Sequence, residues 1–218
     1  MKTLILLSLA ACGAPTKDFS LTATANEYNT KAVISAASDI NSHLGYTLVS
    51  VTKSDKTYTA KDKLKGDNFI AFDSEPSIKT DMEAIRKKLN NPNMLAVTDL
   101  AYNSACVIDC KPVSDFSDIE LVDPTTTWNV NDFCDPDSWR LNAETNNAYC
   151  SDDSGERNLA NLMHRVIIHE MGHALGLVHV ANPGEIMFAD VSSAPISEQD
   201  WANYVKQLSS VQINKKGK

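Results

Sequence analysis

The sequence lacks any apolar run long enough to cross a bilayer. Its N-terminal stretch Thr3–Ala11 falls well short of the roughly 20 residues a spanning helix needs. It lacks internal repeats, which excludes solenoids and propellers. It is short of positive charge: 20 Lys and Arg stand against 28 Asp and Glu, a formal net charge of −8. That balance argues against nucleic acid or an anionic lipid surface as partner. Histidine is scarce too, with five in 218 residues, yet three of the five fall in the stretch HEMGHALGLVH, residues 169–179. Only His43 and His164 lie elsewhere. The rest, 43% hydrophobic and 22% charged, is the composition of a soluble globular protein. The length suits one domain with a real core, with or without a short extension.

The spacing of the clustered residues points to a metal. His169 and His173 lie four apart, which on a helix stacks both imidazoles on one face. Two such nitrogens can grip one zinc ion at about 2.0–2.1 Å each. Glu170 points off that axis and suits a general base acting on a water at the metal, not a ligand. Gly176 accepts the left-handed backbone of a helix C-terminus, and the turn returns His179 as third ligand. Three protein ligands leave a fourth tetrahedral position open, as catalysis requires. A buried helix that merely happens to carry histidines is the plainer alternative, but an apolar core has no use for three imidazoles and an acid.

Lys2 followed by Thr3–Ala11 has the charge and apolar pattern of an export signal. Leu9–Cys12, "LAAC", resembles a bacterial lipobox, with cleavage before a lipidated Cys12. Two alternatives stand beside it: an ordinary cleavage site near Ala11, and a zinc-capping propeptide thiol in "CGAP" (Cys12–Pro15). The remaining cysteines, Cys106, Cys110, Cys134 and Cys150, suit two disulfides in an oxidising compartment. Neighbour pairing closes the shortest loops, though three connectivities are open. A structural zinc on these thiols fits their spacing poorly.

Residues 1–11 are thus expected as a signal peptide, 12–26 as a flexible tether, 27–212 as the catalytic domain and 213–218 as a polar tail. Helical periodicity runs from Tyr28 to Leu44 and from Ile78 to Leu89. Thr47–Thr52, Asn68–Ser74, Met94–Tyr102 and Asp118–Val122 read as strands. Asp132–Ser154 reads as a long loop stapled by a disulfide. Calcium held by Asp132, Asp135, Asp137, Asp152 or Asp153 competes there with a solvated loop, and no EF-hand spacing supports it. The metal helix follows, with Asp153 as N-cap and Glu156 completing a capping-box pattern. The last helix starts from Ser197.

HRVIIHEMGHALGLVH, followed by NPGEIM, resembles the matrixins, the metzincin zinc peptidases that include the matrix metalloproteinases. The resemblance implies an α+β fold: a twisted mixed sheet with an antiparallel edge strand, a central zinc helix, a Met-turn and a C-terminal helix. Met187, eight residues after His179, takes the place of the Met-turn methionine beneath the zinc. Val180 stands where matrixins usually have Ser, and Ala189 removes the extra tyrosine ligand of astacins. His43 and His164 cannot assemble the family's second, structural zinc. The position of Arg165 implies that it lines the pocket for the residue after the cleaved bond. Its stem would make that pocket shallow.

These residues lead to one expectation: a secreted, lipid-anchored, monomeric zinc endopeptidase with one catalytic ion. Its substrates are proteins or peptides laid along an edge strand, Asp118–Val122, through Asp118, Ile119, Glu120 and Leu121. A catalytically silent metzincin used as a binding module and a lipoprotein stapled by zinc are the rivals. Intact Glu170 disfavours the first, and three rather than four ligands disfavours the second.

Overall fold

A computed structural model describes residues 16–101 and 116–216. Cys12, Cys106 and Cys110 lie outside the described residues, so the lipobox and half of the disulfide expectation do too.

Five strands form one sheet: β1 (Lys17–Leu21), β2 (Val49–Lys53), β3 (Phe69–Phe72), β4 (Ala96–Ala101) and β5 (Phe116–Leu121). Their order is β2-β1-β3-β5-β4. All pairings are parallel except β4 against β5, where Thr98 faces Ile119. The helices are α1 (Glu27–Leu44), α2 (Pro76–Leu89), the single-turn α3 (Pro124–Thr127), α4 (Ser154–Ala174) and α5 (Glu198–Lys216). A small antiparallel hairpin, β6 (Trp139–Leu141) and β7 (Ala148–Cys150), precedes α4.

The sheet is buried on both faces, so its central strands are apolar at successive positions. In β3, Ile70 and Phe72 join the main core with Phe19, Ile119, Val166 and Met171, while Phe69 and Ala71 meet Ile78 and Met82 of α2. The metal helix α4 lies in the main core between the sheet and α5, where Tyr204 donates to the Ile168 carbonyl at 3.1 Å.

Three expectations need correcting. The proposed tether contains β1, an interior strand. Lys17, Phe19 and Leu21 alternate into buried positions, so the polar flanks hid a period-2 pattern. Asp118–Val122 is not an edge: β5 lies between β3 and β4, and the antiparallel edge strand is β4. At the start of α4, Asp152 rather than Asp153 takes the Ser154 N–H, at 2.9 Å, while Asp153 pairs with Arg157 at 2.7 Å. The loop expected over 132–154 contains the hairpin and the bridge Cys134–Cys150. Ser197 does cap α5. Its hydroxyl accepts the Asp200 N–H, and Asp200 accepts the Ser197 N–H in return.

Candidate metal centre and active site

Helix α4 carries His169 and His173 one turn apart and then stops. Gly176 takes a φ of +95°, and the Leu177 N–H returns to the Gly172 carbonyl at 2.9 Å, a Schellman closure. The chain then turns back and brings His179 to the other two. The three Nε2 atoms stand 3.0, 3.1 and 3.2 Å apart. A tetrahedral ion with nitrogen ligands at 2.0–2.1 Å would space them by roughly 3.3 Å.

The donor set fits a cation for a further reason. His169 Nδ1 donates to the Ile186 carbonyl at 2.7 Å, and His173 Nδ1 to the Leu177 carbonyl at 3.0 Å. Each of these rings therefore carries its hydrogen on Nδ1 and turns a bare Nε2 lone pair inward. Burial holds the His169 pKa down to about 4, with the neighbouring imidazoles adding to the effect, and burial lowers His173 as well. These two rings, His169 and His173, favour the neutral state that ligates a metal.

Met187 is fully buried against α4 at Gly172, between the first two ligands in sequence. Its close approach depends on Gly172. A Cβ there would lie 2.5 Å from the Met187 sulfur and 3.2 Å from Tyr204. The Val180 N–H bonds the Met187 carbonyl at 3.0 Å, which fixes the turn against the third ligand.

Glu170 is buried beside the triad, and burial pushes its carboxyl up to about 7, partly offset by a hydrogen bond from Thr98. The Thr98 hydroxyl lies 2.5 Å from Glu170 Oε2. The imidazoles and Glu170 open into a cleft of about 730 Å³. Its walls include Leu95–Thr98 of β4 and its approach, Val166 of α4, and Ala189–Val191.

Several expected site residues lie elsewhere. Arg165 does not line the cleft. Its guanidinium, 3% exposed, turns behind the cleft wall. There it donates to the carbonyls of Gly184 at 2.7 Å, Pro195 at 3.3 Å and Ala194 at 3.5 Å, and lies 3.5 Å from Asp200. Helical spacing placed the residue correctly, but unpaired loop carbonyls decided where its head went. Val166, the next residue, lines the cleft instead.

Asp118, Ile119, Glu120 and Leu121 are all buried in β5 and unavailable to a peptide. Ile119 and Leu121 belong to the main core. Glu120 joins Asp81 and Asp99 in a carboxylate cluster whose cation is Lys63. The Lys63 ammonium contacts Asp99 closely and lies 2.5 Å from Asp81 and 3.3 Å from Glu120. Burial would lower the Lys63 pKa, but its bonds to Asp81 and Asp99 reverse the sign and raise it. Burial lifts Asp118 to about 6 and Glu120 to about 7.

The remaining histidines have structural contacts: His164 meets Asp39 at 3.0 Å, and His43 stacks on Trp201. Three of the acidic loop residues proposed for calcium are engaged locally: Asp135 by Arg157 and Asn158, Asp152 by Ser138 and Ser154, and Asp153 by Arg157. Thr98 had no signal in the sequence, because only the long-range pairing of β4 brings it to Glu170.

A sequence model of the matrixin family matches residues 54–208. A comparison with curated protein sequences gives no match. Among solved structures, the chain is similar to archaemetzincin from Methanopyrus kandleri, with 12% identity, 92% of this chain and 99% of that chain covered, and a TM-score of 0.44. It is also similar to metalloproteinase-II from Bacteroides fragilis, with 13% identity, 88% of this chain and 52% of that one covered, and a TM-score of 0.37. A zinc-dependent peptidase from Methanocorpusculum labreanum gives 13% identity, coverages of 90% and 98%, and a TM-score of 0.33.

Proposed function

The chain belongs to the matrixin family, and on that premise we propose that it is a zinc-dependent endopeptidase that hydrolyses peptide bonds of extracellular or surface proteins. The observation that carries this reading is the convergence of three imidazole Nε2 atoms beside one buried carboxylate at the floor of an open cleft.

His169, His173 and His179 would hold one zinc ion. When bound, zinc lowers the pKa of a water toward ~7 and polarises the scissile carbonyl. Glu170 takes the proton from the attacking water and passes it to the leaving amine. Its carboxyl, buried beside the three imidazoles, is placed for both halves of that exchange. β4, at the edge of the sheet and along the cleft, offers its backbone to an extended peptide. The buried β5 cannot take that part.

Intact Glu170 weighs against a silent binding module, and three ligands weigh against a purely structural zinc. The Cys134–Cys150 bridge supports an oxidising compartment and with it export, while the lipid anchor at Cys12 rests on the lipobox-like Leu9–Cys12. Mass spectrometry of native protein tests the anchor: an acylated Cys12 at the mature N-terminus is expected, and a free N-terminus downstream of it refutes the anchor.

The activity is tested by incubating the zinc-loaded protein with a denatured protein substrate. Cleavage that stops on chelation and returns with added zinc is expected. Absence of cleavage by protein holding one zinc per chain contradicts the reading.

A further inference from the structure

Glu170 is hydrogen-bonded by a residue on a different element. Thr98 sits in β4, with its backbone fixed by the antiparallel pairing opposite Ile119. Its hydroxyl lies 2.5 Å from Glu170 Oε2 and 3.2 Å from the Glu170 carbonyl oxygen. Among the described residues, Thr98 alone hydrogen-bonds the Glu170 carboxylate. We propose that Thr98 is a positioning residue for this base: it pins Oε2, leaving Oε1 as the oxygen that exchanges the proton.

The inference rests on Glu170 being the base, and adds what holds it. A glutamate has three rotatable side-chain bonds, and one buried in a cleft floor with no partner would sample several directions. The threonine hydroxyl carries one hydrogen and has two acceptors in reach. While the carboxylate is charged, the hydrogen goes to Oε2, the stronger acceptor. Once Oε1 holds the proton, Oε2 is a weaker acceptor and the hydrogen can turn to the backbone carbonyl. Both protonation states are therefore served without moving the carboxylate. β-branching helps, since the threonine χ1 is restricted. The strand that receives the peptide is thus also the strand that aims the base, so substrate alignment and base alignment share one rigid element.

A purely structural alternative exists: the bond to the Glu170 carbonyl could serve only to tie β4 to α4. Kinetics separate the two. The probe is a quenched-fluorescent peptide that the wild-type enzyme selects from a mixture library. Thr98→Val keeps the shape and removes the hydroxyl; Thr98→Ser keeps the hydroxyl. With zinc content and Tm measured alongside, Thr98→Val is expected to lower kcat roughly ten- to a hundredfold with KM within about twofold, since misaimed chemistry differs from lost binding. Thr98→Ser is expected to recover most of kcat. Thr98→Ala, which cannot crowd the sheet, carries the same expectation as valine if valine disturbs folding. A hydroxyl-free variant with wild-type kcat overturns the proposal. So does one whose kcat and KM worsen together with no rescue by serine. Glu170→Ala run in parallel keeps the two readings apart. An inactive Glu170→Ala beside a fully active Thr98→Val sinks only the role of Thr98, whereas an active Glu170→Ala sinks the base itself.

Discussion

Replacing Arg165 with methionine keeps the stem and removes the head. The loss is set by what the head holds. Its 2.7 Å bond to the Gly184 carbonyl is charge-assisted and well formed; such bonds contribute about 1.5–3 kcal/mol. The bonds to Pro195 and Ala194 are longer, 3.3 and 3.5 Å, and add less. Asp200 is not orphaned by the change, because Ser197 still donates to it at 2.8 and 2.9 Å. Two terms offset the loss: the guanidinium is desolvated, and its Nε has no acceptor among the described residues. The balance is a destabilisation of about 2–3 kcal/mol, or about 5–10 °C in Tm for a domain this size. Thermal denaturation at saturating zinc reads it. The same variant separates the observed position from the expected one. Because the head lies behind the cleft wall, Arg165→Met should change kcat/KM for Leu- and Phe-bearing peptides by the same factor. A stability change under about 0.5 kcal/mol, the size of an ordinary surface substitution, refutes the clamp. A selective rise for Phe-bearing peptides shows that the stem fills the pocket after all.

Glu120 gives a pH test. Burial raises its folded-state pKa from 4.5 to about 7, so its contribution to stability is complete below about pH 4.5 and is lost as pH rises through 7; Asp118, raised to about 6, has the same sign. Between pH 5 and pH 8, urea midpoints at saturating zinc should therefore fall less steeply for Glu120→Gln than for wild type, by roughly 1–3 kcal/mol, and equal slopes refute the assignment. Gly172→Ala places a methyl 2.5 Å from the Met187 sulfur and should cost about 1–3 kcal/mol with weaker zinc retention, read by denaturation and metal titration; unchanged values mean the Met-turn does not depend on that contact. Removing the Cys134–Cys150 bridge, which spans a separation of 16, by a double Cys→Ser change should cost about 3 kcal/mol, again read by urea midpoints.

The metal centre was legible because its determinants are local. His169, His173 and Gly176 act within a few residues of one another, and helical geometry converts their spacing directly into side-chain direction. His179 followed from the helix stop at Gly176, whereas Met187 needed the family resemblance, since no local spacing rule returns it to the metal. The strand order was not legible. β5 and β4 both read as strands, but which of them forms the edge depends on pairings across many residues. Segment 63–64 explains how β5 buries its two acids: the Lys63 ammonium reaches Glu120 and the Leu64 N–H bonds Asp118, and both partners are far off in sequence. β1 was missed for a compositional reason, because Phe19 and Leu21 alternate with Asp18 and Ser20 inside a polar stretch. Arg165 and Thr98 mark the limit of helical and strand spacing. It locates a Cα, while the partners of a long or polar side chain come from elements brought together by the fold.

Glu170→Ala, assayed for bound zinc and peptide hydrolysis in the same preparation, tests the central claim. The three imidazoles hold the ion and Glu170 only moves the proton, so the variant should keep about one zinc per chain while losing hydrolysis by ~10²-fold or more. His169→Ala, in the same experiment, should lose metal and activity together. A Glu170→Ala protein that still cleaves peptide contradicts the mechanism, and one that has lost its zinc contradicts the division of roles.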